Sequence, residues 1–300
     1  MEFLNAFSLP VWTGIAGGLG LLIGSFLNVV ILRLPERLLY AWKLEARDLL
    51  ETSADQQDGS TPSRAAVASQ PPPGIVREPS HCPVCTHRLA VVDNIPVLSW
   101  LWLRGHCRYC KASISVQYPL VELLTAILSA VVIWRFGATP QGLLALFFTW
   151  ILIAAAGIDL RTQMLPDSLT QPLLWIGLLA ALAHVFVHPQ AAILGAVFGY
   201  LSLWSIYQLF KLLTGKEGMG YGDFKLLAAL GAWMGPVALL PIVLISSLAG
   251  ALAGSIFLAV RGKKHSVPIP FGPYLAIAGW IWLLAGSDLL HWYLSLFLRP

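Results

Sequence analysis

Residues 141–161 read QGLLALFFTWILIAAAGIDLR, an apolar run that is uninterrupted until Asp159 and Arg161. A membrane-spanning helix needs about 20 mostly apolar residues to cross the hydrocarbon core of a bilayer. Residues 141–158 come close to this length, and the first charge follows where such a helix would leave the bilayer. The stretch therefore predicts a membrane helix that carries an aspartate at its end.

Similar apolar runs recur along the chain. Of its 300 residues, 57% are hydrophobic and 11% are charged, whereas about a quarter of the residues in a soluble domain are charged. We therefore predict an all-α polytopic membrane protein with about seven or eight transmembrane helices, of which eight fits slightly better. The candidate spans are residues 11–33, 116–134, 141–158, 169–187, 191–213, 225–241, 242–260 and 271–286.

Two segments leave the helix count open. Gly235-Pro236 and Pro241 interrupt residues 225–260, which form either one kinked helix or two short ones. The apolar tail at 287–298 either spans the membrane, lies in its interface or extends the preceding helix.

The basic residues predict the orientation of the chain. Ten of the 19 Lys and Arg residues lie between Arg33 and Lys111, and most of the others end apolar runs. If the loop 34–115 is cytoplasmic, 17 of the 19 fall on the cytoplasmic side, as the positive-inside rule expects. The first run, 11–32, is too long for a signal-peptide core, so we expect it to remain as a span. No basic stripe with interleaved aromatics suggests a nucleic-acid partner.

The large loop divides the chain into four predicted parts. These are a first transmembrane helix (1–33), a cytoplasmic polar insert (34–79), a compact cytoplasmic lobe (80–115) and a helical membrane core (116–300). Within the insert, 52–75 reads as a linker, because its polar composition cannot bury enough apolar surface to order itself. We find no convincing internal repeat.

Asp159 and Asp223 are the candidate catalytic pair. Asp159 ends an apolar run, and Asp223 follows the glycine-rich segment 218–222 (GMGYG) at the start of the next apolar segment. The predicted topology places both at the same depth on the cytoplasmic side. Two acids in one partly dry site cannot both ionise easily, so one can activate a water molecule while the other polarises a peptide carbonyl. The alternative is that both acids cap helices or pair with Arg161 and Lys225.

Two further acids lie near this predicted site. Asp167 follows Leu165-Pro166 and fits a helix start, although it is a third candidate for the site. Glu122 lies just inside the second apolar run, where it could join a buried network or contact substrate, although packing and topology roles are favoured.

The four cysteines form two Cys-x-x-Cys pairs, Cys82/Cys85 and Cys107/Cys110, with 21 residues between the pairs. This spacing is typical of a tetrahedral zinc site with four thiolate ligands. Such a site is structural, because it leaves no open coordination position. Two disulfides or redox pairs are the alternative, which a reducing cytoplasm disfavours. His81, His87 and His106 border the pairs and are predicted to be surface residues.

The chain resembles the type IV prepilin peptidases, which are leader peptidases and N-methyltransferases of type IV pili and type II secretion. The resemblance covers nearly the whole chain and rests on an ordered set of motifs. These are GSFLNVV (24–30), RLP (33–35), the cysteine pairs with NIPVLSW (94–100) and LRG (103–105) between them, ISVQYPLVE (114–122), the Asp159 segment, LPD (165–167) and GYGDFK (220–225).

The resemblance implies that Asp159 and Asp223 are the catalytic aspartates. It implies prepilin and pseudopilin substrates whose short basic leaders are cut at the cytoplasmic face of the bacterial inner membrane. Cysteine-bearing members of the family also methylate the new N-terminal residue with S-adenosylmethionine, and we expect the donor near Arg104 and Gly105. The sequence has no Rossmann-type Gly-x-Gly-x-x-Gly motif after a predicted strand, so the motifs alone do not locate the methyl-donor site.

Three other functions fit parts of the pattern. The first is a peptidase without methyl transfer. The second is a proton-coupled transporter, which would place its acids near mid-membrane. The third is a zinc-ribbon scaffold without catalysis, which would depend on the cysteines and not on the aspartates.

Overall fold

The computed structural model describes residues 8–54, 71–76, 78–261 and 270–297. Within these residues the chain is helical, apart from turns, irregular segments and two isolated β-bridges among residues 81–113. The helices are α1 (Leu9–Ala54), α2 (Leu98–Trp102), α3 (Gln117–Phe136), α4 (Pro140–Thr162), α5 (Asp167–Leu182), α6 (Pro189–Thr214), α7 (Tyr221–Met234), α8 (Leu239–Arg261) and α9 (Gly272–Phe297), with short 3-10 turns at Val91–Asn94 and Pro236–Ala238.

The helices confirm the predicted all-helical membrane fold. In the described part of the chain, six of them are long and apolar enough to cross a membrane. These six are Leu9–Leu49, Gln117–Phe136, Pro140–Thr162, Pro189–Thr214, Pro236–Val260 and Gly272–Trp292. They correspond, in the same order, to the predicted spans at 11–33, 116–134, 141–158, 191–213, 242–260 and 271–286. This is a multi-pass membrane protein.

The other two predicted spans, at 169–187 and 225–241, are shorter helices. Helix α5 has 16 residues and α7 has 14, or about 24 Å and 21 Å of length, less than the ~30 Å hydrocarbon core. All but one of the residues of α7 from Asp223 to Trp233 are buried, since Lys225 alone keeps part of its surface. A helix enclosed by protein can be shorter than a lipid-facing one, which explains why six long helices accompany eight apolar segments.

Both open questions about helix boundaries have answers. The stretch 225–260 is two helices, because α7 ends at Gly235 (φ +76°) and the 3-10 turn at Pro236–Ala238 separates it from α8. The tail at 287–298 extends α9, which continues to Phe297.

The first helix is longer than the sequence pattern indicated. Helix α1 has 46 residues and passes through Pro35 to Ala54, so that part of the predicted insert 34–79 is helical. Its length of about 69 Å exceeds the thickness of a bilayer. Residues 43–51 are polar but rich in Leu, Glu, Ala and Arg, which are strong helix formers. Most of the predicted linker, residues 55–70, lies outside the described residues.

The core around Trp233 fixes α7 among its neighbours. The Trp233 ring lies 4.8 Å from that of Phe148 on α4, measured between centroids. Its indole N–H donates a 2.7 Å hydrogen bond to the Leu173 carbonyl oxygen on α5. These contacts hold the middle of α4 and α5 against the C-terminal end of α7, which lies at the other end of this helix from Asp223.

Candidate active site

Asp159 lies in the last turn of α4 and is only 5% exposed. Its Oδ2 accepts a 3.0 Å hydrogen bond from the backbone N–H of Gly272, the first residue of α9. A helix N-terminus carries partial positive charge, so it suits a carboxylate at this position. The two helix ends therefore hold Asp159 in one orientation.

Asp223 lies in the first turn of α7 and is 7% exposed. Among the described residues its Oδ1 is buried without a hydrogen-bond partner. A buried carboxylate oxygen that lacks a partner is costly. Asp223 Oδ1 can therefore accept a hydrogen bond that the described residues do not supply.

The two carboxylates line one cavity of about 890 Å³, and Asp223 lies within the electrostatic field of Asp159. Apolar side chains from several elements complete the wall, and exposed acids lie at its edge. The wall includes Trp42, Leu165, Met219 and Phe271, and the exposed acids are Asp167 and Glu217. The structure therefore brings together the two aspartates that the sequence singled out.

The basic neighbours of the aspartates have other partners. Arg161 Nη1 donates a 2.8 Å hydrogen bond to Gln117 Oε1. Lys225 Nζ binds both carboxylate oxygens of Asp167, at 2.6 and 2.8 Å. The described contacts therefore do not include the pairing of Asp159 and Asp223 with Arg161 and Lys225 that the alternative interpretation required.

Asp167 begins a helix, as the sequence indicated, whereas Glu122 takes the network role that the sequence did not favour. Asp167 is the first residue of α5, and Pro166 forms the N-cap. Glu122 is buried in α3, and its Oε2 accepts a 2.7 Å hydrogen bond from the Val97 N–H of the cysteine-bearing lobe. Glu122 thus joins the lobe to the membrane helices as part of a buried network.

The glycine-rich segment before Asp223 packs closely against Leu165. A Cβ atom at Gly222 would lie 2.6 Å from Leu165 Cβ and 3.2 Å from the Leu165 carbonyl oxygen. The missing side chain therefore lets α7 approach the segment that precedes α5. Gly220 meets no atom nearer than Asp223 Oδ2 at 4.0 Å.

Sequence reasoning missed Gly272, the hydrogen-bond donor to Asp159. A Cβ atom at this position would lie 2.7 Å from Asp159 Oδ2, so that only glycine lets the backbone N–H reach the carboxylate. The turn residues in Phe271-Gly272-Pro273, at the start of an apolar run, were the available signal.

The four cysteines form one cluster, and their sulfur atoms all lie within 4.8 Å of one another. The Sγ atoms of Cys82 and Cys110 are 3.8 Å apart, which equals the edge of a tetrahedron of thiolates about 2.3 Å from a central zinc ion. All four are free thiols. Hydrogen bonds from the backbone amides of Cys85 and Val84 lower the pKa of the Cys82 thiol to about 6, whereas the pKa of the neighbouring Cys85 thiol is raised to about 11.

The two cysteine pairs are built alike, although we found no repeat in the sequence. In each, the first cysteine N–H donates to a carbonyl five residues on, from Cys82 to His87 and from Cys107 to Ala112. Each pair also closes with a β-bridge, His81 to Arg88 and His106 to Ser113. The pairs are therefore two copies of one cysteine-bearing turn.

Arg104 and Gly105, near which we expect the methyl donor to bind, lie in the turn before the second cysteine pair. Both have positive φ angles, +52° and +72°. A Cβ atom at Gly105 would lie 2.9 Å from Trp100 Cζ2, so Gly105 packs directly behind the Trp100 ring.

Paired carboxylates in a cavity at the ends of membrane helices define an intramembrane aspartic peptidase type of site. Two family profiles match the chain: "Bacterial Peptidase A24 N-terminal domain" over residues 19–136 and "Type IV leader peptidase family" over residues 146–255. The chain belongs to the type IV leader peptidase family, and it is an enzyme.

Curated relatives match over most of their length. The prepilin leader peptidase/N-methyltransferase of Xanthomonas campestris pv. campestris is 54% identical over 279 residues, which is 93% of both chains. Proteins of the same name are 53% identical over 278 residues in Aeromonas hydrophila and 51% identical over 277 residues in Pseudomonas aeruginosa. The match to the Aeromonas hydrophila protein covers 93% of this chain and 92% of that protein. The match to the Pseudomonas aeruginosa protein covers 92% of this chain and 91% of that protein. No solved structure matches the chain significantly.

Proposed function

We propose that this enzyme cleaves the short basic leader from type IV prepilins and pseudopilins, with Asp159 and Asp223 as its catalytic residues. It then methylates the new N-terminal residue with S-adenosylmethionine. The observation that carries the proposal is the burial of two carboxylates in one cavity at the ends of α4 and α7. The names of the relatives, which join peptidase and N-methyltransferase, support both activities.

The cavity chemistry suits hydrolysis of a peptide bond. Two carboxylates in a low-dielectric site share one proton at neutral pH. The ionised one takes a proton from a water molecule between them, and the protonated one donates to the scissile carbonyl oxygen. The Gly272 N–H fixes the position of Asp159, so the pair needs little rearrangement when substrate arrives.

The edge of the cavity suits a basic leader. The side chains of Asp167 and Glu217 are 60% and 68% exposed there. Both acids form solvent-accessible ion pairs, with Lys225 and Lys211, and such pairs are weak enough for a cationic substrate residue to replace the lysine. Because most Lys and Arg residues fall on one side by the positive-inside rule, we place this edge in the cytoplasm and the protein in the bacterial inner membrane.

The cysteine cluster fits a structural zinc ion held by Cys82, Cys85, Cys107 and Cys110. Four thiolates would fill its coordination shell, so the metal would stabilise the lobe and take no part in hydrolysis.

The other candidate functions fit the structure less well. A proton-coupled transporter would need its acids near mid-membrane, whereas Asp159 lies three residues from the end of α4. A scaffold would not need the cavity that the two carboxylates line.

The test is incubation of the purified enzyme with a prepilin and S-adenosylmethionine, followed by mass spectrometry. We expect loss of the leader and gain of one methyl group on the mature N-terminus. An intact prepilin would contradict the peptidase assignment. A processed but unmethylated pilin would show that the enzyme is a peptidase without methyl transfer.

A further inference from the structure

A second cavity lies between the cytoplasmic lobe and the ends of α1, α3 and α4. Its volume is about 400 Å³, within the range of about 300–1,000 Å³ that small-molecule sites occupy. Val29 from α1 and Tyr118 from α3 line it, together with Trp100 and Leu103 from the lobe. Asp159 and Asp223 do not line it, so the peptidase reaction leaves this cavity without a role.

A buried carboxylate in the wall of this cavity lacks a partner on one oxygen. The Asp93 side chain is only 2% exposed, and its Oδ1 accepts a 2.7 Å hydrogen bond from Arg108 Nε. Its Oδ2 is buried without any hydrogen bond among the described residues. A second buried acid, Glu122, also lines the cavity and uses Oε2 to hold the Val97 N–H. Two buried acids in one wall favour a ligand that brings positive charge and hydrogen-bond donors.

An aromatic ring and a cation complete the wall. The Trp100 indole N–H donates a 3.2 Å hydrogen bond to the Ile114 carbonyl oxygen, which fixes the ring at the cavity. A fixed indole stacks on flat heterocycles and attracts cations to its face. Arg161 also lines the cavity and suits a ligand carboxylate. The wall therefore selects a molecule that combines a cationic centre, a flat ring and a carboxylate.

We propose that this cavity binds S-adenosylmethionine, whose sulfonium and ammonium groups face Asp93 and Glu122 while its adenine stacks on Trp100. The inference rests on the methyltransferase part of the proposed function and adds the location of the donor. It moves the expected site from Arg104 and Gly105 to the far side of Trp100, the ring against which Gly105 packs.

The location suits transfer to a freshly cut substrate. Arg161, in the wall of this cavity, follows Asp159 by two residues on α4, so the two cavities meet at the same helix end. In the transfer, the lone pair of the free N-terminal amine forms the new C–N bond. The C–S bond breaks with its electrons on sulfur, the product thioether is neutral, and the surplus proton on nitrogen passes to water.

The test measures donor binding to the full-length enzyme in the absence of pilin. Equilibrium dialysis with radiolabelled S-adenosylmethionine is applied to Asp93→Asn and Trp100→Leu. Asp93→Asn keeps an acceptor for Arg108, and Trp100→Leu keeps apolar bulk. The matched controls are Glu36→Gln and Trp102→Leu, which change exposed residues outside both cavities. Zinc content and leader cleavage report whether the lobe and the membrane core remain folded.

We expect each cavity variant to weaken donor binding by about tenfold to a hundredfold, the value of one hydrogen bond to a charged group or one stacking contact. Methylation falls in parallel, while zinc content and leader cleavage stay within about twofold of the unmodified enzyme. The controls keep all four properties. Unchanged donor binding in both cavity variants overturns the proposed location. An unmodified enzyme that neither binds the donor nor methylates pilin refutes the methyltransferase function itself.

Discussion

Replacing Gly222 with alanine tests whether close packing of α7 positions the catalytic Asp223. The new Cβ would lie 2.6 Å from Leu165 Cβ, whereas carbon atoms in contact are about 3.5–4.0 Å apart. The two segments must therefore separate by about 1 Å. The Leu165 carbonyl oxygen, at 3.2 Å, also blocks the space, so rotation of one side chain does not relieve the clash.

The expected magnitude follows from the displacement. Overpacking of this kind costs about 1–3 kcal/mol, and Asp223 is the next residue in the chain. Misplacing a catalytic group by about 1 Å lowers the rate by up to about a hundredfold. We therefore expect kcat/KM for leader removal to fall by about tenfold to a hundredfold, which corresponds to ~1.4–2.7 kcal/mol of transition-state stabilisation.

The assay is leader cleavage by purified enzyme, measured over a range of prepilin concentrations. Gly220→Ala is the matched control, because its Cβ meets nothing nearer than 4.0 Å, and we expect it to retain activity within about threefold. Unmodified kinetics in Gly222→Ala, or equal losses in the two variants, would refute the packing argument. Equal losses would instead favour a direct contact between substrate and both glycines.

Three further outcomes follow from the structure. Removal of metal with a chelator should expose residues 80–112 to limited proteolysis, because metal binding and folding of the cysteine lobe are coupled; unchanged cleavage patterns would contradict this coupling. Trp233→Phe should lower thermal stability by about 1–3 kcal/mol, since it leaves the buried Leu173 carbonyl without its donor, while Trp175→Phe at an exposed position should not. Asp167→Asn should lower leader cleavage by less than about tenfold, because its ion pair with Lys225 is partly exposed and contributes ~1 kcal/mol or less.

Local sequence patterns predicted two kinds of feature. One kind follows from the free-energy cost of exposing long apolar runs to water, and the other follows from a fixed residue spacing. Long apolar runs can be stable only in a bilayer, which made the fold class accessible from the sequence. The Cys-x-x-Cys spacing indicated the cluster that the lobe forms. Charge topology placed Asp159 and Asp223 at one membrane depth, and the structure puts them in one cavity.

The features that escaped prediction depend on contacts between distant parts of the chain. Gly272 donates to a residue 113 positions earlier, and no local pattern encodes such a pairing. The cavity at Asp93 forms only when the lobe packs on the membrane helices. Hydropathy likewise cannot tell a short helix enclosed by protein from a full span, which is why α7 was expected to cross the membrane.

The most direct test of the central claim is the rate of leader cleavage by Asp159→Asn and Asp223→Asn. Each change keeps the shape of the side chain and removes one ionisable group from the pair. Asp288→Asn is the matched control, because this acid forms an exposed ion pair with Arg135 outside both cavities. We predict that cleavage falls by at least about a thousandfold in each aspartate variant and remains unchanged in the control. Cleavage at the unmodified rate by either Asp159→Asn or Asp223→Asn would contradict the assignment of the catalytic pair.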